Sequence, residues 1–320
     1  MDKFTLETFI NKLPQVIDLI FDNLEFQDLM NISTLNSYYH DFIFGSQKIM
    51  KKICLIVKTG EELETSRNYQ NVKIEKNKLE NQLIISFLSS NKACKSIEFA
   101  KVCDLKFLEQ IKNLEELSLK ESSISGDLNL LSLKSLKIYN CNIETSLIII
   151  KGTQNLSKLC LTNIKPTEIL LQELSSIKNL QLKEFCLSDF SFYNFNREKT
   201  ELLNFLRTQE KSLVKLQMDI WVGLPVLQLI LTMPQLSHLK IYELSKANYV
   251  DWNDLNYPIN SSVKTLSLTD CNVTNEVLEF FLKTCPNVKN LSLFEIDEKS
   301  KEVLKVYGKN IKSLNLFVQS

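Results

Sequence analysis

LEELSL (114–119), LKSLKI (133–138), LSKLCL (156–161), LKEFCL (182–187), LVKLQM (213–218), LSHLKI (236–241), VKTLSL (263–268), VKNLSL (288–293) and IKSLNL (311–316) repeat one pattern in one register. The pattern is apolar-x-x-apolar-x-apolar. Side chains alternate across a strand, so its last two apolar positions share one face and the residues around them share the other. One copy cannot bury its own apolar face, whereas stacked neighbours can, and the pattern therefore predicts a parallel sheet with one strand per copy. Weaker copies precede these nine as CKSIEF (94–99), YQNVKI (69–74) and MKKICL (50–55), so the array is expected to begin soon after residue 50.

Successive copies start 19 to 31 residues apart, and a parallel pair needs a crossover of a dozen residues or more, usually helical. In motif and period the array resembles the leucine-rich repeats. The unit LSLTDCNVTNEVLEFFLKTCPNV (266–288) is similar to their cysteine-containing subtype. Here Asn275 is expected to cap a helix from Glu276 to Thr284, with Cys285 and Pro286 ending it. The resemblance implies an α/β leucine-rich-repeat solenoid of about 11–12 irregular repeats over residues 47–320, with a curved parallel sheet on the concave side and helices on the convex side. Three residues past each strand a further inward position recurs, as Ser122, Cys141, Ile164, Phe190, Trp221, Leu244, Cys271 and Ile296. Two units are long. One inserts SFYNFNREKTE (191–201) and the other LSKANYVDWNDLNYP (244–258), and both excursions are expected at the rim.

The outward residues form rows from repeat to repeat. The row following the last apolar position carries Tyr139, Tyr242, Phe294 and Phe317, and the middle row carries Lys137 and Lys240. Large outward aromatics need either a ligand or local cover, so these residues, with Trp252 of the longer loop, are the candidate contacts for a protein target. The competing reading for the aromatics is stacking between neighbouring repeats or burial beneath a tail, with Phe294 and Phe317 capped by the chain end, and for Trp252 a loop that covers one end of the core. Cys160 and Cys186 occupy equivalent places in adjacent copies and read as small neutral fillers rather than a redox pair.

Ahead of the array, residues 8–46 read as a small helical module. Val16, Ile17, Ile20, Phe21 and Leu24 form one helical stripe, and Leu29, Ile32, Leu35 and Tyr39 continue at helical spacing after a plausible cap at Asp28. Such short helices cannot form a full core alone and must be covered by the array or by a partner. The segment resembles an F-box in Leu13, Pro14, Ile20, Phe21, Leu24, Leu29, Leu35 and Tyr39, with Gln15 and Tyr39 standing where the family usually has an acid and a tryptophan. Helices of this kind directly before a repeat array are similar to the F-box and leucine-rich-repeat substrate receptors of Skp-cullin ubiquitin ligases. That resemblance implies a Skp-type linker bound by Leu13, Pro14, Val16, Ile17, Ile20, Phe21, Leu24, Leu29, Leu35 and Tyr39. It also implies a cullin scaffold reached through the linker, and a target protein held on the repeats for ubiquitin conjugation. The alternative is a leucine-rich scaffold or inhibitor that binds a protein without ubiquitin delivery, its leading helices capping the array.

Composition sets the remaining expectations. Equal numbers of basic and acidic residues, 38 each, provide no field for nucleic acid or anionic lipid, and residues 1–50 are net acidic. Acids at positions 2, 7, 18 and 22 interrupt any signal-like stretch, and eight cysteines without a CxxC fit reduced thiols in the cytoplasm or nucleus. With only His40 and His238, six glycines and no phosphate-binding loop, the sequence is read as that of a non-enzyme without catalytic residues, cofactor or metal.

Overall fold

The computed structural model describes residues 20, 23–24, 26–35, 39, 42–43, 47–50, 53–57, 69–74, 81–91, 93–101, 105–124, 126–165, 167–188, 195–218, 223–242, 252, 257–269, 273–294 and 296–317. These fall into two compact units, Met1–Phe99 and Ala100–Ser320. The division lies inside the stretch whose sequence carries the repeated pattern.

In the first unit, α1 (Phe26–Ser33) and α2 (Gln47–Met50) precede β1 (Cys54–Val57), β2 (Asn71–Ile74), α3 (Asn81–Ser90) and β3 (Ser96–Ala100). β1, β2 and β3 pair in parallel. Helix α1 begins at Phe26, which places Asp28 in its first turn rather than at its cap; an acid there still complements the unpaired N–H groups. The first copy of the strand pattern is shifted by two residues from MKKICL. Leu55 and Val57 stand opposite Val72 and Ile74, so the copy in register is KICLIV (52–57). A slip of two leaves every side chain on its own face, which is why alternation alone does not detect it.

The second unit contains β4 (Glu116–Lys120), β5 (Ser135–Tyr139), β6 (Lys158–Thr162), β7 (Glu184–Ser188), β8 (Lys215–Met218), β9 (His238–Ile241), β10 (Thr265–Leu268), β11 (Asn290–Leu293) and β12 (Ser313–Leu316). Each strand pairs in parallel with the next, and the motif copies are in register throughout. The connections carry α4 (Ile143–Lys151), α5 (Thr167–Ser175), α6 (Phe195–Gln209), α7 (Leu224–Thr232), α8 (Asn275–Thr284) and α9 (Glu298–Tyr307). Neighbouring helices pack on one another, α4 on α5, α5 on α6, α6 on α7 and α8 on α9, to make the second layer.

The core lies between those layers. From β4 to β11 the last two apolar positions of each copy are 0–1 % exposed. In β12 the equivalent Leu314 and Leu316 are 42 % and 47 % exposed, because among the described residues no further strand stacks on them. Most of the expected post-strand inward positions that are described are buried: Ser122, Cys141 and Ile164 fully, Ile296 in part. Phe190, Trp221, Leu244 and Cys271 lie outside the described residues.

Local chemistry reinforces the stacking. Lys101, Glu121, Asn140 and Asn163 each follow a strand with positive φ (58°, 49°, 52° and 52°). This left-handed turn lets each backbone N–H reach the adjacent strand end, as in Asn140 N–H to the Thr162 carbonyl at 3.0 Å and Asn163 N–H to the Ser188 carbonyl at 3.1 Å. Asparagine tolerates the conformation better than most residues, and Asn163 Nδ2 also donates to Asn140 Oδ1 at 2.7 Å.

Two sequence expectations are corrected. The segment 191–201 does not form only a rim loop: its latter part is the start of α6, the longest helix described, anchored by buried Leu202, Phe205 and Leu206 at helical spacing. Helix α8 is capped by Thr274, whose hydroxyl accepts from Val277 N–H at 3.5 Å. Asn275 is the first helical residue, and its Oδ1 accepts from Ser300 Oγ at 2.9 Å.

Candidate functional site

The outward face of β5 to β10 forms a groove of about 460 Å³. Parallel register builds it in rows. The row before the last two apolar positions runs Lys158, Glu184, Lys215, His238 across β6 to β9. The middle row runs Lys137, Cys160, Cys186, Gln217, Lys240 across β5 to β9. Tyr139, Thr162 and Ser188 follow at the strand ends.

Glu184 links two strands at once. Its carboxylate accepts from Lys158 Nζ at 3.0 Å and Lys215 Nζ at 2.9 Å. Partial burial opposes its ionisation, but the two lysines outweigh that cost and hold the carboxyl below the ordinary glutamate range. Lys240 sits over the Tyr242 ring, 4.7 Å from its centre. The imidazole of His238 is held below its ordinary pKa, first by burial and then by Lys215, and its Nδ1 lies 2.7 Å from Ser237 Oγ.

Because the folded pKa of Glu184 is depressed, its contribution to stability is present above the unfolded value, about 4.3. It is lost as pH falls through the lower folded value. Glu184→Gln is therefore expected to leave acid unfolding less steep in pH while lowering stability at neutral pH by less than about 1 kcal/mol, since the lysines are largely solvated. Urea midpoints from pH 7 down to pH 3 measure it.

One of the two cysteines in the groove, Cys160, differs from Cys54, Cys94, Cys141 and Cys285. Cys160 and Cys186 are register partners and both are thiols. A hydrogen bond with Cys186 lowers the Cys160 pKa to about 7 against the cost of burial, and Lys137, Thr162 and Lys158 act in the same direction. Burial instead raises Cys54 and Cys141, and takes Cys94 and Cys285 to about 12. Cys186 and Lys137 stand on the strands either side of Cys160 and Lys158 two residues back, which a linear reading does not place together.

Of the candidate target contacts, Lys137, Tyr139 and Lys240 line this groove, and Tyr242 is joined to it through Lys240. Phe294 and Phe317 are not part of it; they follow β11 and β12, half-buried and 49 % exposed. Trp252 is 6 % exposed, with its ring 5.0 Å from Phe280 and 6.3 Å from Phe281. It belongs to the core and packs on α8, as does Tyr257, rather than standing exposed as an anchor. Sequence reasoning overlooked Lys158, Glu184 and Lys215, although the third residue of consecutive copies reads Lys, Glu, Lys.

In the leading segment, Ile20 and Leu35 are 44 % and 64 % exposed and Leu24 is half-buried, whereas Leu29 and Tyr39 are buried at 0 % and 7 %. Leu13, Pro14, Val16, Ile17 and Phe21, like His40, lie outside the described residues. Buried Leu29 and Tyr39 already have cover within this chain, so a linker contact at those two positions requires the segment to open. Among the described residues no group of three His, Cys, Asp or Glu could hold a metal, and no helix is long and apolar enough to cross a membrane.

No family model matches the chain, and no curated protein is significantly similar to it.

Proposed function

We propose that this protein is an F-box substrate receptor with leucine-rich repeats: its leading helices dock a Skp-type linker, and the outward rows of its parallel sheet hold a target protein. The observation that carries the reading is the F-box-like stripe placed directly before the repeated strand pattern, with Ile20 and Leu35 left as exposed aliphatics in that stripe. The regular parallel register of the strands, with helices in the connections, supports a leucine-rich-repeat solenoid as the fold. A receptor of this kind needs no catalytic group of its own. It raises the effective concentration of target lysines at the ubiquitin carried by other subunits, as any template does for bound reactants.

The groove supports target binding because it combines fixed cations, an amphipathic tyrosine and polar strand residues on a rigid sheet. A second reading, an array that binds a partner without delivering ubiquitin, is favoured by one observation: Leu29, Tyr39 and Ile43 are buried within the polypeptide, as residues of a cap would be. Affinity purification from expressing cells separates the two. The full chain is expected to recover linker and cullin together with target proteins, and deletion of residues 1–45 to lose only the first two. Linker and cullin absent from the full-chain eluate would overturn the receptor reading in favour of the scaffold.

A further inference from the structure

We propose that Cys160 and Cys186 form a redox-active dithiol on the outward face of the sheet, a site at which a hydroperoxide converts two thiols to a cross-strand disulfide. The geometry comes first. The two residues are register partners on adjacent parallel strands, both half-buried and both facing the groove. In-register neighbours on paired strands lie about 4.8 Å apart between Cα atoms, within the roughly 4.4–6.8 Å that disulfides span. Register partners on parallel strands hold their Cβ atoms at a similar spacing, so a small local approach brings them into the roughly 3.5–4.5 Å that a disulfide needs.

The charges assign the roles. The hydrogen bond with Cys186 first, and then Lys137 on β5 and Lys158 on β6, lower the pKa of Cys160, while Glu184 on β7 is engaged by Lys158 and Lys215. Cys160 is therefore the attacking thiolate. Cys186, whose Sγ lies 3.4 Å from Ser188 Oγ, is the resolving thiol. The Cys160 thiolate attacks one peroxide oxygen, the O–O bond breaks, and the leaving oxygen takes a proton and departs as water or alcohol. Cys160 is then a sulfenic acid. The Cys186 sulfur attacks it, the S–S bond forms, the S–O bond breaks and the hydroxyl leaves as water with the Cys186 proton. Two electrons pass from two thiols to one hydroperoxide.

At pH 7 a thiol of pKa about 7 is half thiolate, about fiftyfold more than an unperturbed thiol two units higher. Its lower nucleophilicity gives back about an order of magnitude, leaving a reaction about fivefold faster. The buried thiols of Cys94 and Cys285, at about 12, are silent on the same scale.

The test uses the full chain, reduced and then treated with hydrogen peroxide, followed by tryptic mass spectrometry. The expected product joins fragment 159–178 to fragment 184–197 with the loss of two hydrogens. In Cys186→Ser, Cys160 is expected to stop at the sulfenic acid and to be trapped by a cyclic 1,3-diketone, whereas in Cys160→Ser, Cys186 is expected to remain largely unmodified. Iodoacetamide labelling from pH 5 to pH 10 should show half-maximal modification of Cys160 near pH 7, with Cys54 modified only at higher pH. Linkage to another cysteine, oxidation of Cys160 straight to sulfinic acid in the folded wild type, or equal labelling profiles for Cys160 and Cys54 would each overturn the proposal. All these readouts are independent of whether the chain binds a Skp-type linker.

Discussion

Asn260→Leu is expected to lower the unfolding free energy by about 3–5 kcal/mol, a large share of the ordinary stability of a domain. Asn260 is 4 % exposed and bridges the end of α7 to the entry of β10. Its Nδ2 donates to the carbonyls of Leu231 at 3.1 Å and Met233 at 3.0 Å, and its Oδ1 accepts from the N–H groups of Ser262 at 2.9 Å and Val263 at 3.3 Å. Leucine has a similar volume and none of these bonds. The Met233 carbonyl keeps Leu236 N–H at 3.5 Å and Ser262 Oγ at 3.4 Å, but the other three backbone groups lose the Asn260 amide in a place where water has little access, and each group so left unsatisfied costs about 1–3 kcal/mol before relaxation. Urea titration should show a lower midpoint with an unchanged slope. A loss below about 1 kcal/mol would mean that water enters and replaces the amide.

Asp at both Ile20 and Leu35 is expected to weaken binding to a Skp-type linker by about a hundredfold or more. The two side chains are 44 % and 64 % exposed, so the isolated chain gains little from them. A partner that covers one large aliphatic gains about 1.5–3 kcal/mol, and a carboxylate in its place adds a desolvation cost. Stability should change by less than about 0.5 kcal/mol, as for other exposed positions. The two measurements, calorimetric titration of the linker and thermal unfolding of the chain, therefore separate docking from folding. Unchanged linker affinity in the folded double variant would remove these positions from the interface. A drop of several kcal/mol in stability would instead make them part of an internal cap.

The strands were legible because their signal is strong and physical. Alternation over a short run fixes the buried face, and the leading apolar residue renewed at each copy marks the register that buries Leu117 and Leu119 together with Leu136 and Ile138. The copy at residue 50 was displaced by two because such a slip preserves both faces, and only pairing with Val72 and Ile74 decides it. The length of α6 was obscured by its polar beginning, NREKTE, which gives no apolar stripe until Leu202. Trp252 looked like an interface anchor because a linear reading cannot see Phe280 and Phe281 closing over it from a later helix. The groove was legible in part. Tyr139, Lys137 and Lys240 followed from alternation, but the ionic link through Glu184 and the lowered pKa of Cys160 arise between strands, from residues 26 and 31 apart or on neighbouring rows.

The uniform pairing of β4 through β12 also fixes a length scale for recognition. Those strands are taken in unbroken order, and each step from one to the next advances by about 4.8 Å. Eight steps make a track of about 38 Å along the outward rows, roughly the reach of eleven residues of extended polypeptide. A partner segment laid across the strands would meet a new set of side chains about every one and a half residues, so sequence preferences along it should be read as a short, closely spaced word rather than as a few scattered anchors.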